Sequence, residues 1–206
     1  MILLEAGISF WIKLLAYLNL GDTWLFLKIN NEWTSAFLDN IFPWWRDSNT
    51  WFPLYLFLLL LVLYNFGWKS WPWIVGVIVT VAVTDQVSST LLKNWINRPR
   101  PCNDVFLRDY VRLLLGRCPG SGSFTSSHAT NHFGVACFIY FTMRPWFGKW
   151  GYLLFFWAAT VSYGQVYIGV HYPLDIIGGA ILGSFIGYQL AKVFNRRLAP
   201  LVFKEQ

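Results

Sequence analysis

Charge is what this chain has least of. Of its 206 residues only 13% are Asp, Glu, Lys or Arg, while 56% are hydrophobic and 20% aromatic, 13 of them tryptophan. No charged residue at all stands between Asp47 and Lys69. That scarcity excludes a water-soluble domain, because too little polar surface remains to cover so much apolar side chain. Alternating or amphipathic patterning is lacking too; the apolar residues fall in long runs instead. A small-residue cleavage site is missing after the first apolar run, so no removable signal peptide is expected. What remains is a single integral membrane domain over residues 1–206, all-α and polytopic, a bundle of five to six transmembrane helices with an N-terminal interfacial helical region.

The runs set the spans. The stretch between Asp47 and Lys69, centred on Leu54 to Leu63, is long enough to cross a bilayer core as a helix. Trp71 to Leu92 is the second span, with Asp85 inside it, where an ionisable group calls for a partner in the bundle. The third runs from about Ala129 to Met143, the fourth from Trp150 to about Ile168, and the fifth from about Leu174 to Phe194. Ile2 to Leu20 is apolar but carries Glu5, Ser9 and Lys13 as a narrow polar stripe. That stripe suits a helix lying in the interface, and the length also permits a sixth span. Asp22 to Trp45, with Lys28, Glu32 and Asp39 among aromatics, reads as interfacial or re-entrant. Residues 1–48 thus form an interfacial or first-span region, 49–194 the transmembrane core, and 195–206 a basic cytoplasmic tail.

Counting spans puts the loop Asn94 to Ser127 on the same face as His171. The opposite face receives Lys69, Arg144, Lys149, Lys192, Arg196, Arg197 and Lys204 against one acid, Glu205. The excess of cations marks that face as cytoplasmic. The histidine face is then extracytoplasmic, although it too holds cations: Lys93, Arg98, Arg100, Arg108, Arg112 and Arg117. Cys102 and Cys118 bracket the extracytoplasmic loop, where an oxidising compartment permits a disulfide. Closing that loop of about 15 residues would stabilise by roughly 3 kcal/mol in the chain-entropy model; two free thiols are the alternative. Cys137, inside the third span, reads as a small apolar residue.

Three stretches carry chemistry. In KNWINRPRP, Lys93 to Pro101, a lysine and two arginines leave the second span where they can grip an anion; a bare headgroup contact is the alternative. In SGSFTSSHATN, Ser126, Ser127 and the next backbone N–H groups converge at a helix start, a natural anion seat. His128 stands beside it, able to protonate a leaving oxygen; a serine capping the helix is the plainer role. In GQVYIGVHYPLD, His171 precedes Asp175 by four residues. A carboxylate holding one ring nitrogen orients the other as a nucleophile toward phosphorus.

These residues resemble the type 2 phosphatidic acid phosphatase superfamily, which includes undecaprenyl pyrophosphate phosphatases and lipid A phosphatases. Its first motif, KxxxxxxRP, matches in full as Lys93 through Arg100 and Pro101. The second, PSGH, is matched as Thr125, Ser126, Ser127 and His128, without the proline and glycine. The third, SRxxxxxHxxxD, keeps His171 and Asp175, but Gln165 stands where the arginine belongs. The likeness runs from about Thr84 to Phe185. It implies that His171 attacks phosphorus, Asp175 orients it and His128 protonates the leaving group and later activates water. Lys93, Arg100, Ser126, Ser127 and Gln165 would surround the phosphoryl oxygens. Arg98 is the candidate to replace the lost arginine and Asn131 an added neutral donor. No metal and no other cofactor enters this scheme.

The expected activity is hydrolysis of a membrane lipid phosphate or diphosphate through a phosphohistidine. Undecaprenyl diphosphate, phosphatidylglycerophosphate, phosphatidic acid and lipid A phosphates are all open as substrates. Rival readings are a lipid-to-lipid phosphotransferase, a silent lipid-phosphate-binding or lipid-flipping protein, and a metal-dependent hydrolase using His128 and His132 with His171 and Asp175. The expected setting is the bacterial cytoplasmic (inner) membrane, with the site facing the periplasm. The expected partners are the lipid substrate and the bilayer, with no nucleic acid. The stripe Gly179, Gly183, Gly187 reads as a helix-packing seam within the monomer.

Overall fold

The computed structural model describes residues 10–198. Ile2, Glu5 and Ser9 of the expected N-terminal stripe, and Lys204 and Glu205 of the tail, lie outside them. Among the described residues every regular element is a helix, with no strand. The elements are α1 (Phe10–Leu27), α2 (Ala36–Trp45), α3 (Phe52–Phe66), α4 (Trp71–Asp85), α5 (Lys93–Ile96), α6 (Ser127–Phe147), α7 (Tyr152–Tyr167) and α8 (Pro173–Arg197).

Local sequence explains where the helices start. Pro53, Pro72 and Pro173 occupy the first turns of α3, α4 and α8, where a missing N–H costs nothing. Ser35 and Ser126 cap α2 and α6 by accepting from Leu38 N and Ala129 N. A π-helical segment, Gln86–Leu92, joins α4 to α5. Three helical runs are long and apolar enough to cross a membrane: Ser48–Phe66, Trp68–Asn103 and Pro173–Arg197. Helices α6 and α7 stand among them at the expected third and fourth positions, α6 as the buried centre of the bundle.

Helices α6 and α8 approach closely because glycines line the seam. A Cβ on Gly183 would strike the Thr130 carbonyl oxygen, one on Gly187 the Gly134 carbonyl oxygen, and one on Gly179 would come within 2.8 Å of Ser126 O. The stripe therefore packs inside the monomer. Further along, Val62, Phe66, Trp73, Phe138, Ile139, Met143, Ala191 and Phe194 fill one apolar core.

The N-terminal segment is tied to the histidine end. Phe10 to Leu20 are exposed, whereas Asp22 and Phe26 are buried. Asp22 Oδ1 accepts from Leu174 N at 2.8 Å, fixing α1 to the first turn of α8. Lys28–Glu32 is a π-helical turn. Its Asn30 is buried, donating to Tyr167 O at 2.8 Å and to Arg112 O at 2.9 Å. Arg112 and the Tyr167 hydroxyl both donate to Asp39 Oδ1 at 2.6 Å, which ties α2 to α7 and to the loop. The expected interfacial region is thus a clamp over one end of the bundle.

Candidate active site

The loop from Asn97 to Thr125, the start of α6 and the turn before α8 meet at that end. The Cys102–Cys118 disulfide is formed, with Cα atoms 5.9 Å apart, and gathers the loop beneath its own arginine. Arg100 is buried and held on the loop, donating Nε to Ser121 O at 2.8 Å and Nη2 to Ser121 Oγ at 3.1 Å. Its Nη1 reaches Val170 O at 3.1 Å and His171 Nε2 at 3.0 Å.

His171 owes its position to Gly169, whose φ of +92° turns the chain sharply after α7. A Cβ there would meet Val111 and Arg112 O at 2.8 and 2.9 Å. The turn aims both Val170 N and His171 N at Gln165 O, at 3.1 and 3.3 Å. An arginine can only donate, so the contact from Arg100 assigns the free lone pair of His171 to Nε2 and its proton to Nδ1. Nδ1 lies 3.5 Å from Asp175 Oδ2 and 3.4 Å from Ser123 Oγ. Burial, with Arg100 and Lys93 adding like charge, pushes the His171 pKa down to about 4 despite the upward pull of Asp175. At neutral pH the imidazole is an uncharged base with its lone pair toward Arg100.

Asp175 is fully buried and saturated. Oδ2 accepts from Ser123 Oγ at 2.5 Å and from Tyr172 N at 2.9 Å; Oδ1 accepts from Arg98 Nη1 at 2.8 Å. Asp175 therefore caps α8 as well as facing the imidazole. Arg98 also reaches Asp22 Oδ2 at 2.7 Å and lies over the Tyr172 ring, 3.9 Å from its centroid. The arginine expected to replace the missing one is thus committed to two carboxylates, Asp175 and Asp22.

His128 sits in the first turn of α6, within electrostatic reach of Arg46, His171 and Lys93. Lys93 is buried where α4 runs into α5. Ser126 caps α6, and its backbone N donates to Asp175 O at 3.1 Å, joining the second and third motifs. Ser127, expected among the phosphate-binding residues, meets the serines of the segment after α4. Its Oγ lies 2.9 Å from Ser88 Oγ and 2.8 Å from Ser89 Oγ, because the first residue of α6 faces α4's extension. Asn131, expected as an added donor, instead donates to Asp85 Oδ1 at 3.2 Å, and Ser89 does so at 3.1 Å. Those two bonds supply the partner that Asp85 needs inside the bundle. His132 Nδ1 donates to His128 O at 2.8 Å, and the ring rests on Trp157. Among the described residues no group of three His, Cys, Asp or Glu could hold a metal ion together.

Three contributors have no signal in the motifs: Ser123, Asp22 and Arg46. Ser123 is buried within hydrogen-bond distance of the Asp175 carboxylate, and Asp22 steadies Arg98 and α8. Arg46 Nη2 donates to His128 Nε2 at 3.2 Å from the end of α2.

Comparison with known proteins places this arrangement. Residues 69–199 match the family model of the PAP2 superfamily. A lipid A 4'-phosphatase of Bacteroides thetaiotaomicron is 34% identical over 183 residues, covering 87% of this chain and 80% of that protein. The crystal structure of LpxE from Aquifex aeolicus superposes with a TM-score of 0.58 at 28% identity, over 82% of this chain and 93% of that one. That of the PAP2-type phosphatidylglycerolphosphate phosphatase of Bacillus subtilis gives a TM-score of 0.68 at 21% identity, over 90% of each chain.

Proposed function

The chain belongs to the PAP2 superfamily and is a membrane lipid phosphatase, and we propose that it removes a phosphate monoester from a lipid A-type glycolipid through a phosphohistidine on His171. The observation that carries the mechanism is the pair of contacts at His171. Asp175 faces Nδ1, and Nε2 keeps its lone pair under Arg100. In the first step Nε2 forms a bond to phosphorus while the P–O bond to the lipid breaks, and His128 gives its proton to the departing oxygen. In the second, His128 takes a proton from water as the water oxygen attacks phosphorus, and the N–P bond breaks. The sum is lipid phosphate plus water to lipid alcohol plus inorganic phosphate. Arg100 and Lys93 offset the charge that builds on the phosphoryl oxygens, and they do so from fixed positions.

The substrate class rests on the Bacteroides relative, which matches over most of both chains. We read the site as facing the periplasm from the inner membrane; the cations of the opposite end support this through the positive-inside rule.

The test is phosphate release by detergent-purified protein from lipid A, undecaprenyl diphosphate, phosphatidylglycerophosphate and phosphatidic acid, beside His171→Ala. Lipid A should be preferred, and His171→Ala should lose activity to background. Rapid quenching with radiolabelled substrate should trap an acid-labile, alkali-stable phosphoprotein in wild type only. Label absent from wild type during turnover would exclude the covalent step, and preference for another lipid would reassign the substrate.

A further inference from the structure

One cation near the catalytic histidines has no role in the scheme above. Arg46 closes α2, and its backbone N–H donates to Phe42 O at 3.2 Å. Its side chain runs to His128, where Nη2 lies 3.2 Å from Nε2. The histidine is a poor sole partner for a guanidinium. Arg46 Nε is buried and has no hydrogen-bond partner, and a buried donor left unpaired costs free energy. A second orphan lies in the same region: Gln165 is 1% exposed, and its Nε2 has no partner. Arg46 and Arg100 are also close enough to repel each other. Buried unsatisfied donors and the mutual repulsion of Arg46 and Arg100 beside His128 and His171 describe a seat for an anion.

The backbone holds Arg46 in place deliberately. A Cβ on Gly164 would lie 2.9 Å from Phe42 Cδ1 and 3.7 Å from Arg46 Cβ, so α2 docks on α7 at the residue before Gln165. Phe42 packs on the Tyr163 and Tyr167 rings, with centroids 5.5 and 4.8 Å apart. Trp45 Nε1 donates to Thr160 Oγ1 at 3.1 Å, and Trp51 Nε1 to Trp45 O at 2.8 Å. The elbow that carries the chain from α2 into α3 is therefore fixed on both sides of Arg46.

We propose that Arg46 is a phosphoryl-binding residue, which gives the active site from the N-terminal segment the guanidinium that position 165 lacks. In the empty site it donates to the His128 lone pair. When the phosphate enters, the guanidinium turns to the phosphoryl oxygens, satisfying its orphan donor and releasing His128 Nε2 to carry the proton. Gln165 adds its amide N–H beside it. The inference rests on the lipid phosphatase reading.

The experiment compares wild type, Arg46→Ala, the same-length Arg46→Met, and Arg46→Ala/Gln165→Arg in the full chain. It reads kcat/KM on the preferred lipid, inhibition by orthovanadate, and the thermal midpoint. Removing one charged donor should lower kcat/KM about 10²- to 10³-fold and weaken orthovanadate inhibition about tenfold or more. Gln165→Arg should recover at least tenfold of that loss in the double variant. A purely structural role of Arg46 would not predict recovery by an arginine placed on another helix. The proposal is overturned if both single variants stay within about threefold of wild type, or if orthovanadate inhibits them as well as it does wild type. Failure of the underlying reading looks different, since wild type itself would then release no phosphate. In that case inorganic phosphate should still raise the thermal midpoint of wild type and not of Arg46→Met if Arg46 binds the anion.

Discussion

At the scale of single residues, the fold denies a proton to His171, the nucleophile of the proposed mechanism. The unfolded chain protonates a histidine near pH 6.5, whereas folded His171 resists until about pH 4 because it is buried beside Arg100 and Lys93. Between those values the unfolded state binds a proton that the native state refuses, so stability falls as pH drops from about 6.5 toward 4. His171→Gln lacks that difference. Its thermal midpoint in detergent should decline less steeply than that of wild type across this window, and parallel curves would show that His171 titrates normally in the fold. As pH falls through about 4 the same protonation should remove the proposed nucleophile and bring kcat/KM down. The proximity of His171 and Asp175 was readable in the sequence, as far as chain-local spacing reaches. Four residues separate His171 from Asp175, and a turn brings them face to face. The pairing of Arg98 with Asp22 was not readable, because the two are 76 residues apart, and no local spacing reports such a contact. The contacts of Ser127 with Ser88 and Ser89 and of Asn131 with Asp85 were hidden for a related reason: which way the first turn of α6 faces depends on α4, and the motif alone does not contain that.

At the scale of elements, two junctions hold the chemistry together. One is the polar clamp of Asn30, Asp39, Arg112 and Tyr167, in which hydrogen bonds from Arg112 and Tyr167 keep the Asp39 carboxyl below the usual carboxylate range. The other is the glycine seam between α6, which carries His128, and α8, which carries Asp175. A side chain at Gly183 would have to displace the Thr130 carbonyl oxygen, and α6 is too well packed to yield cheaply. Gly183→Leu should cost at least about 1–3 kcal/mol and cut activity, because prying the helices apart also separates His128 from His171. Gly21→Ala is the control, since nothing lies within 4 Å of a Cβ there; it should leave activity unchanged. Equal thermal midpoints and turnover for Gly183→Leu and wild type would show that the seam is loose. The stripe itself was legible from its four-residue period. The clamp was not, because Asn30 and Arg112 are joined across 82 residues, and a lone asparagine among aromatics carries no signal of being buried.

At the scale of the whole molecule, the open question is which way the bundle points, and the structure changes the weight of the charges. By sequence both ends are rich in cations. The histidine end, however, spends most of its own: Arg98 on Asp22 and Asp175, Arg112 on Asp39, and Arg100 on the loop and His171. Arg108 lies 3.7 Å from Asp109 at the surface. Charges locked to acids or to a site contribute little to retention on the cytoplasmic face. Lys69, Arg144, Lys149, Lys192, Arg196 and Arg197 gather where α3, α6 and α8 end. The balance therefore favours an extracytoplasmic site, as does the formed disulfide. Single cysteines can decide it. Phe106 and Trp68 are 90% and 80% exposed at opposite ends. The native cysteines give no background, since Cys102 and Cys118 are paired and Cys137 is buried. In spheroplasts a membrane-impermeant maleimide should label Phe106→Cys at once and Trp68→Cys only after permeabilisation. The reverse order would put the histidines in the cytoplasm. It would also require a substrate presented on the inner leaflet, and the disulfide would then have to persist in a reducing compartment, which thiols in that setting do not ordinarily do.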